Sequence, residues 1–225
     1  MKLTYLGHSS FLIEEGKFKG IVDPFLSGNQ ASKTKPEDIK DLTHVFITHG
    51  HGDHIGDAVQ LAKANDALVI TNAEIADYLS SKGLRIHAMH IGGRFRFDFG
   101  TVKMTPALHG SGIKTDKGML YGGNPGGFVI EVNGKKVYHA GDTGLTMDMK
   151  LLESEKIDVA MLPIGGNFTM DIDDAIIATD FIKPKILIPM HYGTFQVIEA
   201  DPKEFKEKNK TCETVILEIG QSYDF

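Results

Sequence analysis

The chain has 225 residues, 41% hydrophobic and 24% charged, which is the composition of an ordinary globular protein that buries a core without covalent crosslinks. Its formal net charge of −6, with no long basic run, argues against a high-affinity nucleic-acid surface. The single cysteine, Cys212, excludes an internal disulfide, and no apolar stretch approaches the roughly 20 residues that a membrane span needs. Residues 1–15 do not read as a signal peptide, so the expected location is the cytoplasm.

Two segments of the chain resemble each other. Residues 11–23 and 128–142 each read as a strand, a glycine turn and a second strand that closes on an aspartate, Asp23 or Asp142. Further strands and helices follow each segment, which predicts two sheets packed face to face with helices outside. We therefore expect an α+β fold, a four-layer αββα sandwich built from two similar halves. The chain reads as one domain, residues 1–225, with internal halves of about 1–122 and 123–225.

After each hairpin the chain enters an apolar strand, a Gly-rich loop and a helix. The expected elements are strand 45–48, helix 55–64, strand 102–107, strand 159–164, helix 172–182, strand 186–189 and a final strand around Cys212. Asp171 is a good N-cap for the second helix. Polar candidates follow these strands, and sheet proteins gather functional residues in loops at strand ends. One shared site is therefore predicted.

The densest group of metal-competent side chains comes directly after the first apolar strand. His49, His51, Asp53 and His54 fall within six positions, and such residues are rarely buried unless something pairs with them. His49 and His51 are two apart and can project together, whereas Asp53 and His54 begin the next element. This spacing suggests two pairs of ligands, hence two metal ions.

Three later residues extend the pattern: His109, Asp142 in a Gly-Asp-Thr segment, and His191. The order HxHxDH, a lone histidine, this aspartate and a final histidine resembles the metallo-β-lactamase superfamily of metal-dependent hydrolases over essentially the whole chain. The narrower branch that the chain resembles is the UPF0173 metal-dependent hydrolases, which are related to ascorbate-6-phosphate lactonases and N-acylphosphatidylethanolamine phospholipase D. The segments that carry this second resemblance are 7–11, 141–145, 163–170 and 189–195.

The resemblance implies a metallo-β-lactamase-type sandwich with seven metal ligands. The first ion would be held by His49, His51 and His109. The second would be held by Asp53, His54 and His191, with Asp142 bridging the two. Imidazoles and carboxylates without a thiolate favour two Zn²⁺ ions per chain, although Mn²⁺ or Fe²⁺ tolerate the same set.

The implied chemistry is hydrolysis by a metal-bridging hydroxide that attacks an ester, lactone or phosphodiester, because a metal lowers the pKa of bound water toward ~7. Asp53 and Asp142 are the expected catalytic carboxylates, and Asp53 could also orient the hydroxide or move its proton. No GxSxG elbow or activated cysteine offers another nucleophile. The expected partner is a small-molecule substrate; homo-oligomers are left open.

His8 and Asn167 are the substrate-binding candidates. His8 ends the first strand in a Gly-His-Ser-Ser segment that faces the active-site cleft in the related branch, and the alternative is a capped structural histidine. Asn167 follows two glycines after a strand, where an amide could donate to a developing oxyanion or simply form a turn. Tyr192 and Phe195 would either wall the pocket or pack.

The remaining histidines and one loop receive structural interpretations. His139 would support the site at most, and His44, His87 and His90 read as surface residues. The Gly-containing segment 110–124 would be a mobile flap over the metals, an ordinary connector or an oligomer contact.

Two other function classes stay open. The first is an RNA- or DNA-processing nuclease of the same fold, against which the acidic balance and the lack of a basic appendage argue. The second is a non-catalytic metal-binding regulatory protein, against which the complete set of ligands argues.

Overall fold

A computed structural model describes residues 1–225 and contains sixteen strands and five α-helices. The strands are β1 (Lys2–Gly7), β2 (Ser10–Glu15), β3 (Phe18–Val22), β4 (His44–Phe46), β5 (Leu68–Asn72), β6 (Arg85–Met89), β7 (Arg94–Phe97), β8 (Gly100–Pro106), β9 (Gly112–Thr115), β10 (Gly118–Tyr121), β11 (Gly126–Val132), β12 (Lys135–His139), β13 (Val159–Pro163), β14 (Ile186–Met190), β15 (Glu213–Thr214) and β16 (Ser222–Asp224). The helices are α1 (Gly52–Ile55), α2 (Ala58–Asn65), α3 (Ala73–Ser80), α4 (Ile172–Ile182) and α5 (Pro202–Lys208). Short 3₁₀ helices lie at Pro36–Asp38, Met147–Glu155 and Gln196–Ile198.

Two seven-stranded sheets form the centre of the fold. The first has the order β16-β1-β2-β3-β4-β5-β6, and the second has the order β15-β14-β13-β12-β11-β8-β7. In each sheet an antiparallel hairpin leads into parallel strands, β2–β3 into β4 and β11–β12 into β13. The similarity seen in the sequence therefore corresponds to a repeated topology. Strands β7 and β8 lie in the second sheet although they precede residue 122, and β16 returns to the first sheet.

The alternation of side chains along β4 explains the layering. Phe46 belongs to a cluster of 36 buried residues that includes residues of both sheets and of helix α4, whereas Val45 and Ile47 belong to a separate cluster of 15. That second cluster includes Leu61 of α2 and Ile75 of α3, so these helices cover the outer face of the first sheet. Helix α4 covers the second sheet. The fold is thus the expected αββα sandwich.

The predicted helix 55–64 is wrong in its bounds, because the structure has two helices there. Gly56 separates α1 from α2 with a φ of 41°, a conformation that favours glycine. A Cβ at this position would also collide with the carbonyl oxygen of Pro24. The Asp57 carboxylate then accepts hydrogen bonds from Leu26 N at 3.0 Å and Ser27 N at 2.8 Å. The long-range contact with Pro24 decides where the helix breaks.

His44, predicted to lie at the surface, is half-buried. Its ring lies 4.5 Å from the Phe99 ring, 5.3 Å from Phe18 and 6.3 Å from Phe97, at the edge of the core. Burial lowers the pKa of His44 to about 4. His90 is exposed, as expected.

The structure confirms one predicted helix cap and shortens one predicted strand. The Asp171 side chain accepts a hydrogen bond from Asp174 N at 2.9 Å, which confirms the predicted N-cap of α4. The strand predicted around Cys212 is shorter than expected and comprises β15, with Cys212 half-buried just before it, and β16 follows as the last strand. No helix has the length and apolar content needed to span a bilayer.

Candidate metal centre

The seven predicted ligands come together at one end of the sandwich. The loop after β4 carries His49 and His51, and the following turn of helix, α1, carries Asp53 and His54. The other three ligands follow β8, β12 and β14; they are His109, Asp142 and His191. The strands β4, β12 and β14 run in the parallel parts of their sheets, so their carboxyl ends deliver these loops to the same edge.

Three imidazole nitrogens form the first group. His51 Nδ1 lies 3.0 Å from His49 Nε2 and 3.2 Å from His109 Nε2. Two imidazole nitrogens that share one tetrahedral zinc ion are about 3.3 Å apart, given Zn–N bonds of about 2.0 Å. Burial lowers the pKa of all three rings, most strongly that of His49, and a neutral ring keeps the lone pair that binds a cation. The trio therefore fits a divalent metal ion.

The second group surrounds Asp142. Its Oδ2 atom lies 2.9 Å from His191 Nε2 and 3.2 Å from His54 Nε2, and His54 Nε2 lies 3.8 Å from Asp53 Oδ2. His54 Nε2 and Asp142 Oδ1 are both buried without a hydrogen bond of acceptable geometry. Buried polar atoms of this kind are costly unless something compensates them, and a cation would compensate both. This group also fits a metal ion.

Asp142 lies between the two groups. The same Oδ2 atom is 3.6 Å from His109 Nε2, so one carboxylate faces ligands of both predicted ions. Burial alone would raise the pKa of Asp142, but the neighbouring His54 and His191 rings hold it well below its usual value. An ionised carboxylate at this point matches the bridging position that the resemblance implies.

Asp23, to which the sequence assigned no role in the site, orients one predicted ligand of each group. Its buried carboxylate accepts hydrogen bonds from His54 Nδ1 at 2.7 Å, Thr48 Oγ1 at 2.7 Å and Thr48 N at 2.9 Å. Because the Thr48 hydroxyl donates to Asp23, it accepts from His49 Nδ1, 3.0 Å away. Both rings thus carry a proton on Nδ1 and present Nε2 to the site. The signal available in the sequence was the repeat, which places Asp23 where the other half has Asp142.

The electrostatics of His54 show how strongly this pocket attracts positive charge. Burial disfavours a charged ring, yet the carboxylates of Asp142 and Asp23 outweigh burial and raise the pKa of His54 well above its ordinary value. For Asp53 the pKa shifts in the opposite direction. Burial would raise its pKa, but the hydrogen bond from His8 and the charge of His54 outweigh burial and lower it.

His8 lies behind Asp53 with a completely buried side chain. Its Nε2 donates to Asp53 Oδ2 at 3.1 Å, and its Nδ1 accepts from Thr194 Oγ1 at 3.0 Å. Its ring also packs against His191, with centroids 4.1 Å apart. Burial lowers the pKa of His8 to about 4, which keeps this ring neutral. The side chain therefore faces a predicted ligand rather than solvent.

Asn167 lies on the exposed loop between β13 and α4. Its φ of 53° is the left-handed conformation that asparagine tolerates, which fits the turn-forming interpretation. Its exposed amide makes no hydrogen bond within the chain. The loop is anchored beside Asp142, because Met170 N donates to Thr143 O at 2.9 Å.

His139 and the segment 110–124 both support ligand loops. His139 is buried, donates to Ser9 O at 2.8 Å and accepts from Gly141 N at 3.1 Å, directly before Asp142. Segment 110–124 contains the β9–β10 hairpin, and the Ser111 hydroxyl at its base accepts from Gly50 N at 3.0 Å. The hairpin is therefore attached to the loop that carries His49 and His51.

Comparison with known proteins agrees with this geometry. A β-lactamase superfamily domain matches residues 21–192, a span that contains all seven predicted ligands. The chain is 60% identical to a UPF0173 metal-dependent hydrolase of Alkaliphilus metalliredigens (strain QYMF) and 51% identical to one of Pelotomaculum thermopropionicum, over 100% of both chains in each case. Among solved structures it resembles Igni18, a metallo hydrolase from Ignicoccus hospitalis KIN4/I, with a TM-score of 0.90, 39% identity and coverage of 100% of this chain and 98% of that one. The chain therefore belongs to the UPF0173 metal-dependent hydrolases of the β-lactamase superfamily.

Proposed function

We propose that the protein is a dinuclear metal-dependent hydrolase that cleaves an ester, lactone or phosphodiester bond. The observation that carries the proposal is the position of Asp142 Oδ2, within 3.6 Å of His109 on one side and within 3.2 Å of His54 and His191 on the other. One carboxylate between two complete groups of neutral or compensated ligands is the arrangement expected of a site for two ions rather than one.

The ligand sets follow from the two groups. His49, His51 and His109 would hold one divalent cation, and Asp53, His54 and His191 would hold the other, with Asp142 shared. Nitrogen and oxygen donors in these numbers favour Zn²⁺, with Mn²⁺ or Fe²⁺ as alternatives. Bound cations of this kind supply water of lowered pKa and polarise the oxygen of the bond under attack.

The chain's own residues would then position water and substrate. The Asp53 side chain is 28% exposed, against 3% for Asp142, so Asp53 is the carboxylate that an incoming water reaches. It would orient that water by accepting its hydrogen bond and receive its proton. His8, which donates to Asp53 Oδ2, holds the carboxylate in place. The free amide of Asn167 would donate to the substrate oxygen that gains negative charge.

The test combines metal analysis with a broad screen of substrates. The purified protein is reconstituted with Zn²⁺ or Mn²⁺, its metal content is measured, and it is assayed with chromogenic carboxylic esters, lactones and bis(p-nitrophenyl) phosphate. We expect two metal ions per chain, together with activity that a chelator removes and added metal restores. Fewer than one ion per chain after reconstitution would overturn the dinuclear site, and two ions without turnover on any substrate would favour a non-catalytic metal-binding protein.

Variants separate the two ion sites from each other. His109→Ala is expected to lose the first ion and His191→Ala the second, with activity reduced at least 100-fold in both, because each removes a predicted ligand. His90→Ala is the matched control, since His90 is exposed and contacts no ligand.

A further inference from the structure

Several of the large apolar side chains that this protein exposes lie on the loops that carry the predicted ligands, or on segments hydrogen-bonded to those loops. Eleven such side chains are exposed in the whole chain. Five of them form what we call the apolar rim: Leu108, Met119, Tyr121, Phe168 and Phe195. Single exposed hydrophobic residues are common and need no explanation, whereas a group around one site marks a surface that binds something apolar.

Leu108 lies between ligands of the two groups. It directly precedes His109, and its carbonyl oxygen accepts from Gly144 N at 3.0 Å, two residues after Asp142. Its own N–H donates to Thr143 Oγ1 at 3.0 Å. The backbone is therefore fixed on both sides, yet the side chain is 64% exposed.

Phe168 and Phe195 flank the second group. Phe168 is 56% exposed on the loop that Met170 anchors to Thr143, beside Asp142. Phe195 is 43% exposed, and its ring lies 5.6 Å from the ring of His8, which contacts both Asp53 and His191. Phe168 is thus attached through the backbone to the loop of Asp142, and Phe195 contacts a side chain that touches two predicted ligands.

The β9–β10 hairpin adds the remaining two rim residues. Met119 and Tyr121 are two apart on β10 and share one face, and all four residues of that strand are exposed. This hairpin pairs with neither large sheet. Its base is fixed, because Ser111 links Gly50 to Gly122 through hydrogen bonds of 3.0 and 2.7 Å. The exposed apolar face is therefore attached to the loop of the first ligand group.

The same loops lack the side chain that best recognises a phosphoryl group. The chain has three arginines, Arg85, Arg94 and Arg96, and none of them lies on a loop that carries a predicted ligand. A guanidinium fork is the usual side-chain partner of the non-bridging oxygens of a phosphate. Without a guanidinium beside it, the apolar rim is better matched to the acyl part of a carboxylic ester than to a phosphodiester.

We propose that the apolar rim binds the substrate and that the substrate is a carboxylic ester or lactone with an extended apolar acyl part. This inference rests on the proposed hydrolase function and narrows it. The acyl chain would lie across Leu108 and the two phenylalanines while the ester group is at the ligand groups. The contact removes apolar area from water, and this supplies binding energy that grows with chain length.

The test uses the metal-loaded full chain and p-nitrophenyl acetate, butyrate and octanoate, with each rate divided by the ester's rate of hydroxide-catalysed hydrolysis. A fully buried methylene contributes about fourfold in kcat/KM, so a half-buried one contributes about twofold. Six added methylenes, from acetate to octanoate, are then expected to raise kcat/KM about 60-fold. A flat profile with clear turnover overturns the inference but leaves the hydrolase intact, whereas no turnover of any substrate counts against the proposed function itself.

Variants locate the effect. Leu108→Ala and Phe195→Ala are each expected to lower the octanoate-to-acetate ratio of kcat/KM by about 3- to 10-fold. Phe95→Ala is the matched control, because Phe95 is 47% exposed on β7, outside the ligand loops, and the ratio is expected to stay unchanged. Faster turnover of bis(p-nitrophenyl) phosphate than of every ester would overturn the substrate class. Light scattering tests whether the rim instead binds a second copy of the chain. If the rim variants dissociate an oligomer and leave the octanoate-to-acetate ratio unchanged, the rim is a contact between subunits and the inference is wrong.

Discussion

Replacing Asp23 by asparagine is expected to weaken metal binding although Asp23 is not a predicted ligand. The substitution keeps the size of the side chain but replaces one carboxylate oxygen by an NH₂ group. With Oδ1 still accepting from Thr48 N, the NH₂ group occupies the position of Oδ2, which lies 2.7 Å from His54 Nδ1. It can only donate there, so it drives the proton of His54 from Nδ1 to Nε2, the atom that faces the site.

The expected magnitude follows from this change of tautomer. Loss of a partner that orients a metal-binding histidine typically costs 10- to 100-fold in metal affinity, about 1.4 to 2.7 kcal/mol. The affinity for the ion near His54 is expected to fall by the larger amount. The affinity for the ion near His49 is expected to fall by the smaller amount, because Asp23 reaches His49 only through the hydroxyl of Thr48.

The assay is competition with a chromogenic chelator, which measures the affinity for each equivalent of Zn²⁺ separately. Thr48→Val provides a matched comparison: it removes the hydroxyl between Asp23 and His49 but leaves the contact with His54, so only the first ion is expected to bind more weakly. Asp158→Asn is the control for the loss of a carboxylate elsewhere, since Asp158 accepts from Lys136 N and contacts no ligand. Two ions bound by Asp23→Asn as tightly as by the wild type would refute the reasoning.

Three further predictions concern stability. The pKa of His44 is about 4 in the folded chain and about 6.5 when unfolded, so the free energy of unfolding declines as the pH falls from about 6.5 toward 4. Urea unfolding of His44→Phe should show a smaller decline with pH. The control variant His90→Gln should show the same decline as the wild type. Ser111→Ala leaves Gly50 N without its acceptor and is expected to cost about 1 to 3 kcal/mol of unfolding free energy in the same assay, and an unchanged midpoint would contradict this. Metal removal is expected to lower Tm, because each ion at 100 times its Kd adds about 2.7 kcal/mol of stability, and equal Tm values with and without chelator would show that metal binding is not coupled to folding.

The cluster of predicted metal ligands could be found from the sequence for a chemical reason. His49, His51, Asp53 and His54 are residue types that a core rarely tolerates together, and their spacing assigns them to a loop and to the turn after it. The bounds of β13 and α4 were also close to the prediction, since apolar runs and the Asp171 cap depend on neighbouring residues. These features could be predicted because they depend on residues that are close together in the sequence.

Other features depended on contacts between distant segments. The break between α1 and α2 is set by Pro24. The partial burial of His44 is set by Phe97 at the end of β7 and Phe99 in the turn before β8, both strands of the opposite sheet. None of these three partners can be recognised from the residues that neighbour Gly56 or His44 in the sequence. The exchange of β7, β8 and β16 between the predicted halves is likewise a matter of strand pairing, which periodicity does not specify.

The sequence by itself determined the repeat and the class of fold and predicted the set of metal ligands, because these depend on composition and local spacing. Only the tertiary structure decided that Asp23 holds His54 and, through Thr48, His49, and that His8 lies buried behind Asp53. It also decided that five exposed apolar side chains lie on the loops of the predicted ligands or on segments hydrogen-bonded to those loops. Hydrogen-bond partners and solvent exposure are properties of distances between residues far apart in the chain, and those distances exist only once both sheets have packed.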